Sequence, residues 1–245
     1  MSSMTIKTLI NYSPNFSTHK RNIKSVKYLI YHYTGMRSES KAINRLINDK
    51  SKVSCHYFIK KNGSIIIMVP DLYEAWHAGK SNWKKDKSLN EKSIGIEISN
   101  KGHQHGYENF SKKQIKSLIK LSKYLIKKYR IAKSNVLGHS DISFNRKKDP
   151  GEKFPWENLY KNKIGLWHKI DEKKLKSLRN KEIANSDKIK FFKLLHKIGY
   201  FADNFRKEKK NLLIKSFQRR FRQKLVNGKI DLECLLIAKT LSKIS

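Results

Sequence analysis

Val26-Lys27-Tyr28-Leu29-Ile30-Tyr31-His32-Tyr33, closed by Thr34-Gly35, decides how this chain is to be folded. Aromatic and aliphatic residues run together without the polar interruptions of a surface strand, so the segment predicts a buried strand. Outward from it the period changes. From about Ser38, the residues Ala42, Ile43, Leu46 and Ile47 make one apolar stripe of a helix. Residues 55–59 and 65–69 flank Lys61-Asn62-Gly63-Ser64, and Asn-Gly between two apolar runs predicts a hairpin. In residues 93–99, Ile94, Ile96 and Ile98 alternate with Gly95, Glu97 and Ser99, giving a strand with one buried face. Ser111-Lys112-Lys113-Gln114 is a capping box that opens a helix striped by Ile115, Leu118, Ser122, Leu125 and Tyr129. Asn135-Val136-Leu137 is a short strand leading into Gly138-His139. Strands interleaved with two long helices predict an α/β or α+β layered domain that ends near Trp156.

Beyond it, residues 161–186 are Lys-rich and weakly patterned, which suits a linker or a peripheral helix. Three amphipathic segments follow, at 189–198, 211–226 and 231–244. The second carries Ile214, Phe217, Phe221 and Leu225 on one face, and the third has Asp231 as N-cap after the Asn227-Gly228 turn. They predict a small three-helix domain, separate from the first.

The chain of 245 residues carries 55 Lys and Arg against 20 Asp and Glu, a formal charge of +35. Hydrophobic residues at 38% and aromatic residues at 11% supply a core that a disordered polycation lacks. No apolar run approaches the ~18–20 residues of a membrane span, which excludes a transmembrane helix. Such a charge suggests nucleic acid, but the excess is spread along the chain and Lys far outnumbers Arg, the better fork for phosphates and base edges. No specific nucleic-acid partner is therefore expected; attraction to an acidic polymer and compositional drift toward Lys, Ile and Asn both fit. Cys55 and Cys234 form no metal or disulfide spacing, and Cys55 in its apolar run is expected to be a buried small residue. Residues 1–11 hold only Leu9-Ile10 as consecutive apolar residues, too short for the core of an export signal. On sequence alone this points to the cytoplasm, with periplasm or cell envelope as the alternative.

Among nine histidines, His19, His168 and His196 lie in contexts that suit solvated or packing residues. His103-Gln104-His105 is either a chelating pair or a surface turn, and the contexts of His56 and His77 decide nothing. His32 and His139 differ, because each ends a predicted strand, where open α/β sheets gather their sites. Asp149-Pro150-Gly151 follows His139 by ten residues, in a turn that holds the carboxylate. Two imidazoles and one carboxylate, with a fourth position left for water, make a catalytic rather than a structural zinc pattern.

The runs Tyr31-His32-Tyr33-Thr34-Gly35, Ala75-Trp76-His77-Ala78-Gly79, Ser93-Ile94-Gly95-Ile96-Glu97, Gly138-His139-Ser140-Asp141-Ile142 and Arg146-Lys147-Lys148-Asp149-Pro150-Gly151, then Phe154-Pro155-Trp156, resemble the type-2 N-acetylmuramoyl-L-alanine amidases. These share the fold of the peptidoglycan recognition proteins. The resemblance spans roughly residues 11–160. It implies a mixed central β-sheet flanked by helices over residues 1–160, the zinc amidase fold. It also implies one Zn2+ held by His32, His139 and Asp149, with Glu97 as the catalytic acid/base. The lysine two before the aspartate assists. In an extended segment, alternation puts Lys147 rather than Lys148 on the side of Asp149, so Lys147 is chosen. Glu97 likewise faces away from Ile94, Ile96 and Ile98.

Tyr33, Trp76 and His77 are expected to line a groove for peptidoglycan or a muropeptide, and Trp83 to lie there or in the core. Asp141 is expected to be a structural partner of the ligand loop. The implied reaction is hydrolysis of the amide between (anhydro-)N-acetylmuramic acid and L-alanine of the stem peptide, in cell-wall turnover or recycling. Residues 187–245 resemble a three-helix peptidoglycan-binding module, through Phe217-Gln218-Arg219-Arg220-Phe221-Arg222 and Asn227-Gly228-Lys229-Ile230-Asp231. A non-catalytic peptidoglycan-binding protein of the same fold is the competing reading, and the full ligand set with Glu97 weighs against it.

Overall fold

Six strands form one sheet in the computed structural model, which describes residues 7–201 and 207–245; the first six residues of the segment read for an export signal lie outside these. They are β1 (Thr8–Ile10), β2 (Tyr28–Tyr33), β3 (Tyr57–Ile59), β4 (Ile65–Ile67), β5 (Ser93–Ile98) and β6 (Val136–Gly138), in the spatial order β1-β4-β3-β5-β2-β6. The β3–β4 hairpin is antiparallel and every other pairing in this sheet is parallel, the mixed sheet expected. β2 lies between β5 and β6 with both of its faces covered, so Leu29, Ile30 and Tyr31 are all fully buried. That explains why its sequence is apolar without alternation.

Helix α1 (Glu39–Ile47) starts at Ser38, whose hydroxyl accepts from Lys41 N–H, and buries Ala42 and Leu46. Helix α2 (Lys112–Tyr129) opens with the capping box Ser111/Gln114 and buries Leu118, Leu121, Ser122, Leu125 and Tyr129. Ser122 interrupts that stripe for a reason: the buried Tyr31 hydroxyl lies 2.8 Å from its Oγ. Leu29, Tyr31, Ile94 and Ile96 belong to the apolar cluster on the α2 side. Tyr28 and Ile30, pointing the other way, belong to a second cluster.

The remaining helices are α3 (His139–Ile142), α4 (Trp156–Lys161), α5 (Glu172–Leu178), α6 (Asn185–Ile198), α7 (Lys207–Phe221) and α8 (Leu232–Leu241). Helix α5 falls in the stretch expected as linker or peripheral helix. Helices α6 to α8 arise where three amphipathic segments were expected, but they are not set apart. Phe191, Leu195, Phe217, Phe221 and Ile237 form one cluster with Tyr28, Ile30, Leu137 and Ile142 of the sheet and α3. Trp83 also lies here, edge-on to Tyr200 at 4.9 Å between ring centres, in the core and not in the lining of the cavity described below.

From Leu213 to Phe221, helix α7 is buried almost all round. Polar residues in it and just beyond it reach different partners: Ser216 donates to the Ser140 carbonyl, Arg220 pairs with Asp141, and Arg222, which follows the helix, pairs with Asp231. A helix whose polar groups serve its neighbours shows an amphipathic pattern in sequence, although little of its surface meets water.

Because the sheet and the C-terminal helices share one core, Phe217→Ala should lower global stability by about 3–5 kcal/mol. Thermal unfolding followed by circular dichroism and by tryptophan fluorescence should still show one coincident transition. A C-terminal unit melting by itself would contradict the shared core.

Candidate active site

Three neighbouring parallel strands bring the site together at their carboxyl ends. His32 lies next to last in β2, directly beside Glu97 of β5 in the strand register. On the other side β6 ends at Gly138, and His139 begins α3. Gly138 admits the ring of Pro150, since a Cβ there would lie 2.6 Å from the proline Cδ. The Ser140 N–H donates to the Asp149 carbonyl at 2.8 Å, which ties the loop carrying Asp149 back onto α3.

His32, His139 and Asp149 therefore converge. His32 Nδ1 and His139 Nδ1 lie 2.9 Å apart, and the Asp149 Oδ2 is 3.1 Å and 3.0 Å from them. All three residues are buried. His139 Nε2 donates to the Ala78 carbonyl at 3.1 Å. A neutral imidazole has one ring proton, so His139 Nδ1 presents a lone pair to a carboxylate and to a second imidazole. Acceptors facing acceptors in a buried space call for a cation, and the donor set suits zinc. Among the described residues this is the one cluster of such composition.

The charges around it are strongly biased. Burial and then the neighbouring His139 lower His32 to about 4, leaving it neutral at pH 7. Against burial, His139 and His32 pull the Asp149 carboxyl far below the usual range. Burial, and then the Asp149 carboxylate, push Glu97 up to about 8, with the Lys147 ammonium acting in the opposite direction. The Glu97 Oε2 has no hydrogen-bond partner among the described residues.

A cavity of about 430 Å³ opens over this cluster, lined among others by Tyr33, Trp76, His77, Glu97 and Lys147. Arg45, Arg146 and Lys148 add cations to its wall. Lys147 is half-buried and Lys148 exposed. Trp76 is half-buried, and its indole N–H donates to Ser17 Oγ at 3.3 Å. His77 is buried beneath His32, its Nδ1 3.0 Å from His32 Nε2. Cys55 is buried and its thiol pushed well up by burial, as a packing residue should be.

Several participants gave no signal in the sequence. His103, read as chelator or surface turn, stacks on Tyr107; its Nδ1 lies 2.8 Å from the Tyr33 hydroxyl and its Nε2 3.0 Å from Glu152. Arg220 of α7 donates to Asp141 Oδ2 at 2.7 Å, and the Tyr200 hydroxyl donates to Asp141 Oδ1 at 2.6 Å. Asp141 in turn accepts from Gly138 N–H at 2.8 Å, so the C-terminal helices hold the start of α3 and with it His139. Neither link has a spacing that sequence could reveal, because both join residues about sixty or more positions apart.

A buried two-imidazole, one-carboxylate cluster beside a buried glutamate, at the strand ends of a mixed sheet, is the donor arrangement of a metal hydrolase. The family described as N-acetylmuramoyl-L-alanine amidase matches residues 22–152. N-acetylmuramoyl-L-alanine amidase AmiD of Escherichia coli K12 is 34% identical over 229 residues, covering 88% of this chain and 82% of that one. The solved complex of E. coli AmiD with the substrate anhydro-N-acetylmuramic acid-L-Ala-D-gamma-Glu-L-Lys matches with a TM-score of 0.80 and 32% identity, over 93% of this chain and 92% of that one. The 1,6-anhydro-N-acetylmuramyl-L-alanine amidase AmpD of Haemophilus influenzae is 40% identical over 107 residues, 43% of this chain and 56% of that protein. The present chain belongs to the N-acetylmuramoyl-L-alanine amidase family and is an enzyme of that kind.

The buried His56 beside the site makes stability depend on pH. Gly95 N–H donates to its Nδ1 at 3.0 Å, and burial, followed by the Arg21 guanidinium, lowers it to about 3. Unfolded, it titrates near ~6.5. Its contribution is thus complete above about pH 6.5 and is lost as pH falls toward 3, where the unfolded chain binds the proton first. Denaturant titrations of metal-free protein at pH 6.5 and pH 5 should show His56→Asn losing about 2 kcal/mol less than wild type over that interval. Equal losses would exclude His56 as the source.

Proposed function

We propose that this protein is a zinc-dependent amidase that hydrolyses the bond between (anhydro-)N-acetylmuramic acid and the L-alanine of a peptidoglycan stem peptide. The observation that carries the reading is the convergence of His32, His139 and Asp149 with Glu97 alongside, inside the span matched by the family. A bound zinc ion supplies Lewis acidity, polarising a carbonyl and lowering the pKa of water from about 15.7 to about 7.

The chain's own groups do the rest. Glu97 takes a proton from the attacking water and passes it to the leaving nitrogen, as the carbon–nitrogen bond breaks. The water oxygen ends in the new lactyl carboxylate and the proton on the amine of L-alanine. Lys147 sits where its charge reaches Glu97, and is assigned to the oxyanion that develops on the carbonyl oxygen. Tyr33 and Trp76 at the cavity wall contact sugar and peptide. The cationic wall of Arg45, Arg146 and Lys148 suits a substrate whose stem peptide carries carboxylates.

In this reading residues 1–160 carry catalysis and 161–186 connect. Residues 187–245 form a peptidoglycan-binding-like unit that also braces the site.

Zinc-loaded protein incubated with an anhydro-muropeptide, and in parallel with intact sacculi, should release free stem peptide detectable by mass spectrometry. Glu97→Ala should keep its zinc and lose about 10²–10⁴ in rate. Lys147→Ala should lose about 10²–10³ with metal retained, and Lys148→Ala should stay near wild type. No peptide from either substrate would overturn the function. A loss confined to Lys148→Ala would reverse the assignment of the lysine.

A further inference from the structure

Ser93, Gly95 and Glu97 occupy alternate positions of β5 and so share one face. Glu97 has a chemical role; the other two do not follow from it. The imidazole of His77 fills the space over Gly95, where a Cβ would lie 2.4 Å from the ring Cγ. Any larger residue at 95 would displace that ring. The backbone of its loop is held as well, because Asn90 Oδ1 accepts from His77 N–H at 3.1 Å and from Ala78 N–H at 2.6 Å.

The ring's two nitrogens are both engaged. Its Nε2 lies 3.1 Å from Ser93 Oγ, and its Nδ1 lies 3.0 Å from His32 Nε2. Ser93 Oγ is in turn 2.6 Å from the Leu89 carbonyl. A carbonyl only accepts, so the serine proton points at Leu89 and Oγ accepts from His77 Nε2–H. His77 Nδ1 is then a lone pair, and it accepts from His32 Nε2–H. His32 Nδ1 is left without a proton, aimed at Asp149 Oδ2 and His139 Nδ1. All the protons of this chain point away from the cluster.

We propose that His77, seated by Ser93 and admitted by Gly95, is a positioning residue that fixes the Nε2–H tautomer of His32 and so makes its Nδ1 a metal ligand. The proposal rests on His32 being a ligand. It moves His77 from the substrate groove to the support of the metal centre. It also accounts for Ser-Ile-Gly-Ile-Glu as a unit, with serine orienting His77, glycine giving it room and glutamate serving the reaction.

The test measures zinc affinity of the full chain by competition with a chromophoric chelator, with no substrate present. Partners of this kind typically contribute about 10–100-fold to metal affinity. His77→Leu should weaken zinc by that factor. His77→Asn, whose Oδ1 can accept from His32 in place of Nδ1, should stay within a few-fold of wild type. Long-range ¹H–¹⁵N spectra of metal-free protein should show His32 as Nε2–H in wild type and as a tautomer mixture in His77→Leu. Should His77→Leu not fold, Ser93→Ala decides: it should weaken zinc several-fold at an unchanged metal-free melting temperature.

Wild-type affinity in His77→Leu, or equal weakening in the Leu and Asn variants, would overturn the proposal. If wild-type protein takes up no stoichiometric zinc, the ligand reading itself fails and carries this one with it.

Discussion

Two imidazole nitrogens and a carboxylate oxygen that face one another at 2.9–3.1 Å repel unless a cation lies among them. Taking such groups out of water is costly, and the cost is recovered when a cation binds. The surroundings maintain this electrostatic deficit. The Ala78 carbonyl accepts from His139 Nε2–H, the Ser140 N–H holds the Asp149 backbone, and Asp141 anchors the turn from β6 into α3. The sheet makes the convergence possible, because parallel strands deliver His32, Glu97 and His139 to one edge of the molecule.

The C-terminal helices take part in the same arrangement. Arg220 and Tyr200 both bind Asp141, while Ser216 takes the Ser140 carbonyl. A buried ion pair such as Arg220–Asp141 is weak support for net stability, yet removing one partner strands the other charge at a cost of about 3–5 kcal/mol. Such a pair selects one geometry of the loop. Position, more than stability, is what α7 contributes to the cluster of His32, His139 and Asp149.

Charge has a local meaning here that the total of +35 does not convey. Arg45, Arg146, Lys147 and Lys148 line a cavity whose carboxylates are Glu97 and Asp149. Low-dielectric walls focus such a field into the cleft. Arg146 is also a strap, donating to the carbonyls of Ala78 and Lys80. Many other lysines, including Lys112, Lys113, Lys116, Lys123 and Lys127 of α2, are exposed on the outer face of that helix. The distribution matches a solvated basic surface with a focused cleft.

The local elements were largely legible. The strand ending at Tyr33, the Asn-Gly hairpin, the capped α2 and the strand of alternating isoleucines all follow from period and turn chemistry, which act over a few residues. The metal-ligating types at strand ends were legible for the same reason, and Asp141 was correctly assigned to the support of its loop. That the C-terminal helices share a core with the sheet was not legible, because buried polar residues on α7 mimic a solvent face. His103 and Trp83 stayed ambiguous because their partners, Glu152 and Tyr200, are distant in sequence.

By itself, then, the sequence determined which residues could donate to a metal, which strands would carry them, and the family motifs that join them. Only the tertiary structure decided which nitrogen of each histidine faces the cluster and which helices hold the ligand loop. Those depend on hydrogen bonds between residues far apart in the chain, whose direction is set by an acceptor such as the Ala78 carbonyl that no sequence pattern marks.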